Sequence, residues 1–408
     1  LYATGVLTVS ENPHRAVPLL PVFKVPKQDG LSSRLIVDCR ALNDLLPRPG
    51  DMGLPRVDQV VDLILRHRWA AEADAVSYFY QFGLEGGADK AFRVAYGQQR
   101  GQFVVATINV LPMGFSYAPV IAQHVSNFLV AIAVDAHRAQ GGRATAVVWV
   151  DNFIVVGDCR REVVALCSVL ADIFAQVRLE LKAPFSTPSQ SVVLLGVQFQ
   201  LTGTPTARMT EGFMRGMVDK GHLLEGAVHT SPRQWFAIVG GLLWTNQVVG
   251  REPLAMWETV LHFSGVLGRH AVQAGWDVVV PLPVQERHAL LHTLRRIVVA
   301  KYTLAVAVQC GVTTWFTDAS ECGLGVVAQR GSSMLGWLGT HSFTPIFLAE
   351  LVAVAVGCLQ PEGEVHCDNT AAVQVILRGH SSSSRGNVVI RALNRALAAR
   401  RSPAFSES

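Results

Sequence analysis

The spacing of apolar positions changes several times along this 408-residue chain, and each change predicts an element. Val147-Val148-Trp149-Val150 and Phe153-Ile154-Val155-Val156 are β-prone runs on either side of Asp151-Asn152. That pattern predicts a β-hairpin with the polar pair at its turn. Tyr117 to Arg138 is largely apolar with few breakers and predicts a long helix, and Val163 to Val177 predicts a second. Thr202-Gly203-Thr204-Pro205-Thr206 interrupts the pattern. Beyond it, Ser231 before Pro232 reads as a capped helix start leading into the apolar stretch Phe236 to Trp244. Val280-Pro281-Leu282-Pro283 opens a further helix, Gln285 to Ala300. From Thr313 a strand pattern resumes, followed by a helix-like run at Phe347 to Ala355 and a strand-like Glu364 to Cys367. Residues 1 to about 70 mix short strands with Pro and Gly turns. No internal repeat is present, and the four serines 381–384 are the one low-complexity tract.

Half the residues are hydrophobic and 16% are charged, which describes a folded chain with room for two or three cores. A net charge of +4 does not by itself announce nucleic acid. Metal-site carboxylates offset phosphate-binding cations, so local charge matters more. The seven cysteines form no Cys-x-x-Cys pair and no zinc spacing. They read as small buried hydrophobes in a reducing, intracellular setting, cytoplasmic or nuclear. No secretory signal pattern is seen, and no uninterrupted run approaches the ~18–20 apolar residues of a membrane span. A start at Leu1 without Met suggests a fragment of something longer.

Two sets of carboxylates change the picture. Asp151 at a rigid hairpin turn, together with Asp74 in Ala73-Asp74-Ala75-Val76-Ser77-Tyr78-Phe79-Tyr80-Gln81-Phe82, gives the pair that two-metal phosphoryl transfer requires. Further on, Asp318 ends a strand pattern, Glu350 sits inside an apolar helix, and Asp368 follows another strand. Acids in such apolar settings need a cation.

In this order the motifs resemble a reverse transcriptase joined to an RNase H. Pro21 to Gly30 and Arg34 to Asn43 resemble the fingers, and Asp74 to Phe82 the first palm motif. Leu111-Pro112-Met113-Gly114-Phe115-Ser116-Tyr117-Ala118-Pro119, with Gln123 after it, resembles the second. Trp149-Val150-Asp151-Asn152 stands where the family carries Tyr-x-Asp-Asp, and Leu181-Lys182 and Pro188 to Val197 resemble the last palm motifs. Thr317-Asp318-Ala319-Ser320, Cys367-Asp368-Asn369-Thr370 and His380 to Ser384 look most like the RNase H of tyrosine-recombinase (DIRS-like, kinetoplastid VIPER/TATE-like) retrotransposons.

The resemblance implies an α+β multidomain chain. A right-hand polymerase with an antiparallel palm sheet would precede an RNase H-like α/β domain. Fingers and palm would span 1–200, a thumb 201–275, a connection 276–310, and an RNase H-like domain, cut short at its end, 311–408. It implies RNA-directed DNA synthesis with RNase H cleavage of the hybrid. Two Mg²⁺ per site (or Mn²⁺) would be held by Asp74 and Asp151, and by Asp318, Glu350 and Asp368. Lys27 and Arg34 would bind the triphosphate. Phe79 would reject a 2′-hydroxyl, Gln81 would contact a neighbouring helix or the template, and Met113 and Gly114 would meet the incoming base pair. Lys182 is the candidate general acid. Implied partners are an RNA template, a DNA primer, their hybrid and deoxynucleoside triphosphates, with no membrane and with an element-encoded recombinase or capsid-like protein beside them.

Three departures stand out. Asn152 replaces the second acid of the hairpin, which removes a charge but leaves an oxygen. Trp149 and Tyr78 place bulk near the primer end. No Asp follows Asp368, so the family's fourth RNase H carboxylate has no counterpart, with Glu407 out of context and His380 the candidate substitute in product release. These departures feed an alternative in which the chain is a weakened or inactive nucleic-acid-binding scaffold, or a decayed element copy.

Overall fold

The computed structural model describes residues 5–9, 19–26, 33–85, 91–99, 102–250, 257–298, 302–303, 314–330, 333–341, 343, 346–359, 364–379, 381 and 383–401. The chain divides into two compact units, one of residues 1–251 and 258–304, the other of 252–257 and 305–408.

The first unit opens with β1 (Leu7–Val9) and the hairpin β2 (Val22–Pro26) and β3 (Ser33–Val37), followed by α1 (Arg40–Leu45) and α2 (Val57–Leu65). Next come β4 (Trp69–Asp74), β5 (Arg93–Gln99), β6 (Gln102–Ile108), α3 (Ala118–Ala139), β7 (Thr145–Trp149), β8 (Asn152–Gly157) and α4 (Arg160–Val177). The site is built on the antiparallel sheet β4-β8-β7. Its central strand, β8, is apolar at nearly every position because both of its faces are covered. Phe153 and Val155 enter one core with α3 and α4, while Ile154 and Val156 enter a second with α2. Side chains alternate across a strand, so a continuous apolar run fills two cores at once.

α3 is 22 residues long and apolar enough by length and composition to cross a bilayer, although it holds no uninterrupted apolar run of that length. Counting uninterrupted runs missed it because Gln123, His124 and Asp135 break the run. Its inner face packs on β7 and α4, and its outer face exposes Ile121, Val125, Phe128 and Ile132.

Beyond α4, β9 (Ser191–Leu194), β10 (Val197–Gln200) and β11 (Thr206–Met209) form an antiparallel meander. Then come α5 (Glu211–His222), β12 (His229–Thr230), α6 (Pro232–Thr245), α7 (Trp257–Ala274), β13 (Val280–Pro281), α8 (Val284–Val298) and β14 (Tyr302–Thr303). The expected cap of α6 is present: Ser231 Oγ accepts from Gln234 N, and the Gln234 side chain reaches back to Ser231 N. Of the connection expected over 276–310, residues 276–304 fall in this unit, with α8 against α5 and α6 and β14 paired to β11.

The second unit holds β15 (Thr314–Ala319), β16 (Gly323–Arg330), β17 (Ser333–Thr340), α9 (Ile346–Cys358), β18 (Glu364–Cys367), α10 (Thr370–Arg378) and α11 (Ser384–Arg401). Its sheet order is β17-β16-β15-β18, antiparallel until β18 joins β15 in parallel. α9 lies close on the sheet because Gly357 has no side chain. A Cβ there would stand 2.8 Å from Thr317 Cγ2 and 2.9 Å from Val365 Cγ1. Seven residues, two turns, separate Gly357 from Glu350, so both share the sheet-facing stripe of the helix.

The cysteines are not uniformly buried. Cys39 and Cys167 are, with burial pushing their thiols up to about 11 and about 12, whereas Cys159 and Cys322 are exposed.

Candidate active sites

The β7–β8 turn consists of Val150 and Asp151, and Asn152 is already paired with Trp149 across the hairpin and with Asp74 on the other side. The expected Asp-Asn turn is thus displaced by one residue. The displacement matters because Val150 takes a φ of 55°, a conformation that β-branched residues avoid. Strain of this kind, roughly 1–3 kcal/mol, persists only when surrounding contacts enforce it. Gln123 enforces it here. Its side chain is fully buried, Oε1 accepts from Val150 N at 2.8 Å, and Nε2 donates to Val148 O at 3.0 Å. In the sequence this residue is marked only as the glutamine that follows the motif Leu111 to Pro119, with no role attached to it.

Asp74 ends β4 beside this turn, with Ala75 N donating to Asp151 O at 2.9 Å. Burial, and then the charge of Asp74, push the Asp151 carboxyl above its ordinary range. Glu72, two residues back on the same face of β4, is raised by burial and by Asp74 as well. Lys182 Nζ ion-pairs with Asp74 Oδ2, while Asp74 Oδ1 is buried with no hydrogen-bond partner. The Lys182 backbone N donates to Asp74 O at 2.7 Å, so backbone as well as charge holds the two together. Asn152 Nδ2 lies 3.3 Å from Asp151 Oδ1 and donates to it, which makes Asn152 a brace on that carboxylate.

The neighbouring residues divide into those near the pair and those tied up elsewhere. Phe79 is half-buried in the 3₁₀ turn Tyr78–Gln81 and packs on the core that contains Phe153. Tyr78, expected to crowd the primer end, is buried instead, with its hydroxyl 2.9 Å from Ser126 Oγ. Gln81 is also corrected. It donates to Val76 O and Glu180 O and accepts from Glu180 N, so its amide joins two loops and is not offered to a template. Gly114, at φ 114°, does make the close approach expected of it, but to β3: a Cβ would stand 2.0 Å from Val37 O. Met113 O accepts from Val37 N, and Asn43 bridges Gly114 O and Ser116 N. Arg34 is exposed on β3, and Lys27, like His380 and Glu407, lies outside the described residues. Trp149 meets Trp244 of α6 edge-on at 6.1 Å.

In the second unit, Asp318 at the end of β15, Glu350 in α9 and Asp368 after β18 converge. Glu350 is 7% exposed. Its carboxyl is raised by burial, then by the charges of Asp318 and Asp368. No Lys or Arg pairs with Glu350 among the described residues. Ligand atoms of Glu350, Cys367 and Asp368 all lie within 4.8 Å of one another.

No protein-family model and no curated protein sequence matches this chain. Solved structures do. The foamy viral protease-reverse transcriptase in complex with an RNA/DNA hybrid aligns over 96% of this chain and 50% of its own, at 16% identity and a TM-score of 0.57. The fold is similar to that of this viral reverse transcriptase. The same viral protein in complex with dsDNA aligns over 99% of this chain and 79% of its own, at 16% identity and TM-score 0.53. Its dRH form with dsDNA covers 99% and 66%, at 16% identity and 0.54. This chain therefore spans between half and about four-fifths of the length of those chains, and at 16% identity the likeness is one of fold.

Proposed function

We propose that this chain copies RNA into DNA and degrades the RNA strand of the resulting hybrid, as part of a retrotransposon acting inside the cell. In this reading the first unit supplies fingers, palm and thumb, and the second supplies the RNase H. One observation carries it: Asp74 and Asp151, 77 positions apart in sequence, converge at a strained turn, and one buried Asp74 oxygen has no partner. The donor set fits Mg²⁺, since hard oxygens suit that ion and an unsatisfied buried oxygen invites a cation. When bound, Mg²⁺ would lower the pKa of the primer 3′-hydroxyl and neutralise the triphosphate.

The residues of the chain do the rest. Gln123 fixes the turn, Asn152 steadies Asp151, and Phe79 lines the sugar position. Lys182 stands as the counter-charge of Asp74. It has to leave that carboxylate before it can protonate pyrophosphate. In the second unit Asp318, Glu350 and Asp368 would hold the ions that activate water for RNA cleavage. Duplex phosphates dominate affinity for such substrates, so binding should weaken steeply with salt.

The test is primer extension on an RNA template with deoxynucleotides in Mg²⁺ and in Mn²⁺. Extension that disappears in Asp74→Asn supports the polymerase and shows that Asn152 is tolerated. The scaffold reading draws on Asn152 as well. It gains if neither the parent nor Asn152→Asp extends a primer while hybrid binding persists.

A further inference from the structure

The second carboxylate centre contains a residue that a Mg²⁺ site has no use for. Cys367 ends β18, and Asp368 follows it before Asn369 caps α10. Neighbours within a strand point to opposite faces. Here the strand has ended and the chain bends, so sulfur and carboxylate both approach the same buried acid. Cys367 Sγ lies 4.0 Å from Glu350 Oε2. Zinc-type bonds of about 2.3 Å to sulfur and about 2.1 Å to oxygen place a tetrahedral ligand pair roughly 3.6 Å apart, so a closure of a few tenths of an ångström suffices. Glu350 is more than nine-tenths buried, is aimed into this cluster, and has no cationic partner among the described residues. A buried carboxylate in that position calls for a cation.

We infer that Cys367 is a metal ligand, and that with Glu350 and Asp368 it forms a site for a thiophilic divalent ion of the Zn²⁺ or Cd²⁺ class. This inference rests on reading the centre as a metal site. Soft thiolate favours such ions, whereas Mg²⁺ is held by the carboxylates alone. As the sulfur–metal bond forms, the thiol proton passes to solvent, and nothing is oxidised or reduced. The two modes share Glu350 and Asp368, so they exclude each other. A thiophilic ion therefore blocks hybrid cleavage. The Asp74–Asp151 centre, built from oxygen and nitrogen groups, offers no such mode.

The experiment uses the full chain with Cys159, Cys310 and Cys322 changed to serine. Co²⁺ should give a thiolate-to-metal charge-transfer absorption that Cys367→Ser abolishes. The same change should weaken Cd²⁺ binding at least about tenfold. Should Cys367→Ser fail to fold, the parent alone decides: Cd²⁺, but not Mg²⁺, protects Cys367 from alkylation. Cleavage in Mg²⁺ without protection by Cd²⁺ or a charge-transfer band overturns the inference and leaves the metal-centre reading standing. Absence of cleavage and of binding by Mg²⁺, Co²⁺ and Cd²⁺ alike would bring down both.

Discussion

The two carboxylate centres address the same electrostatic problem in different ways. At the hairpin, Asp74 and Asp151 crowd each other, but Lys182 stands against Asp74 and the side chains are partly open to water. In the second unit Glu350 is buried in a helix that is apolar almost all round, with Asp318 and Asp368 nearby and no cation beside it among the described residues. The first centre is thus partly charge-compensated before any metal arrives, with Lys182 against Asp74 among three acids, while Glu350 in the second has no such counter-charge among the described residues. The difference predicts that metal-free protein tolerates the first centre well and is destabilised by the second.

The largest effects come from cutting each centre separately. Asp74→Asn should reduce primer extension at least ~10³-fold and leave hybrid cleavage unchanged, and Asp368→Asn should do the reverse. Assaying both activities on both variants decides it. A variant that loses both activities would mean the centres are not independent.

Next in size is Gln123→Leu. The change keeps volume but strips Val150 N and Val148 O of their buried partner, at roughly 2–4 kcal/mol. The turn that carries Asp151 should relax, and extension should fall roughly 10²-fold with hybrid cleavage spared. Unchanged extension in a folded variant would show that the strained turn is not needed.

How much of this was legible depends on which forces are local. That Asp74 meets Asp151, and that Glu350 meets Asp368, could be anticipated from the order of the motifs, and for Glu350 from the cost of burying an acid in an apolar helix. The long helix and the capped start at Ser231 followed from periodicity and capping chemistry. The turn was misplaced by one residue because strand register depends on pairing with β4, and hydrophobicity alone does not fix it. Gln123, Gln81 and Gly114 were hidden for a related reason. Apart from Val76, five positions before Gln81, the backbone groups they meet lie 25–27, 99 and 77 positions away, and only the folded chain brings them together.

A smaller effect probes the second centre without metal. The Glu350 carboxyl sits above its ordinary 4.5, so its folded form holds a proton more tightly than the unfolded chain does. The stability this gives is present below pH 4.5 and is lost as pH rises through the raised folded value. In EDTA near neutral pH, Glu350→Gln should therefore be more stable than the parent, on the order of 1 kcal/mol, while losing hybrid cleavage. The two proteins should converge as pH falls below 4.5, which calorimetry at several pH values would follow. An offset constant across pH would mean that packing, not charge, separates them.

The smallest stability effect should come from Lys182→Gln, and it bears most directly on the contrast. The Lys182 and Asp74 side chains are 54% and 36% exposed, so their ion pair contributes about 0–1 kcal/mol. The backbone bond from Lys182 N to Asp74 O survives the change, so the segment keeps its place. Without the lysine, Asp74 and Asp151 are left uncompensated, as Glu350 is in the second unit. The rise in melting temperature on adding Mg²⁺ should then be larger in Lys182→Gln than in the parent, because an ion that binds the folded state stabilises by its affinity for it. Equal Mg²⁺-dependent rises in the two proteins would show that Lys182 is not the counter-charge, and that the two centres face metal-free water on the same terms.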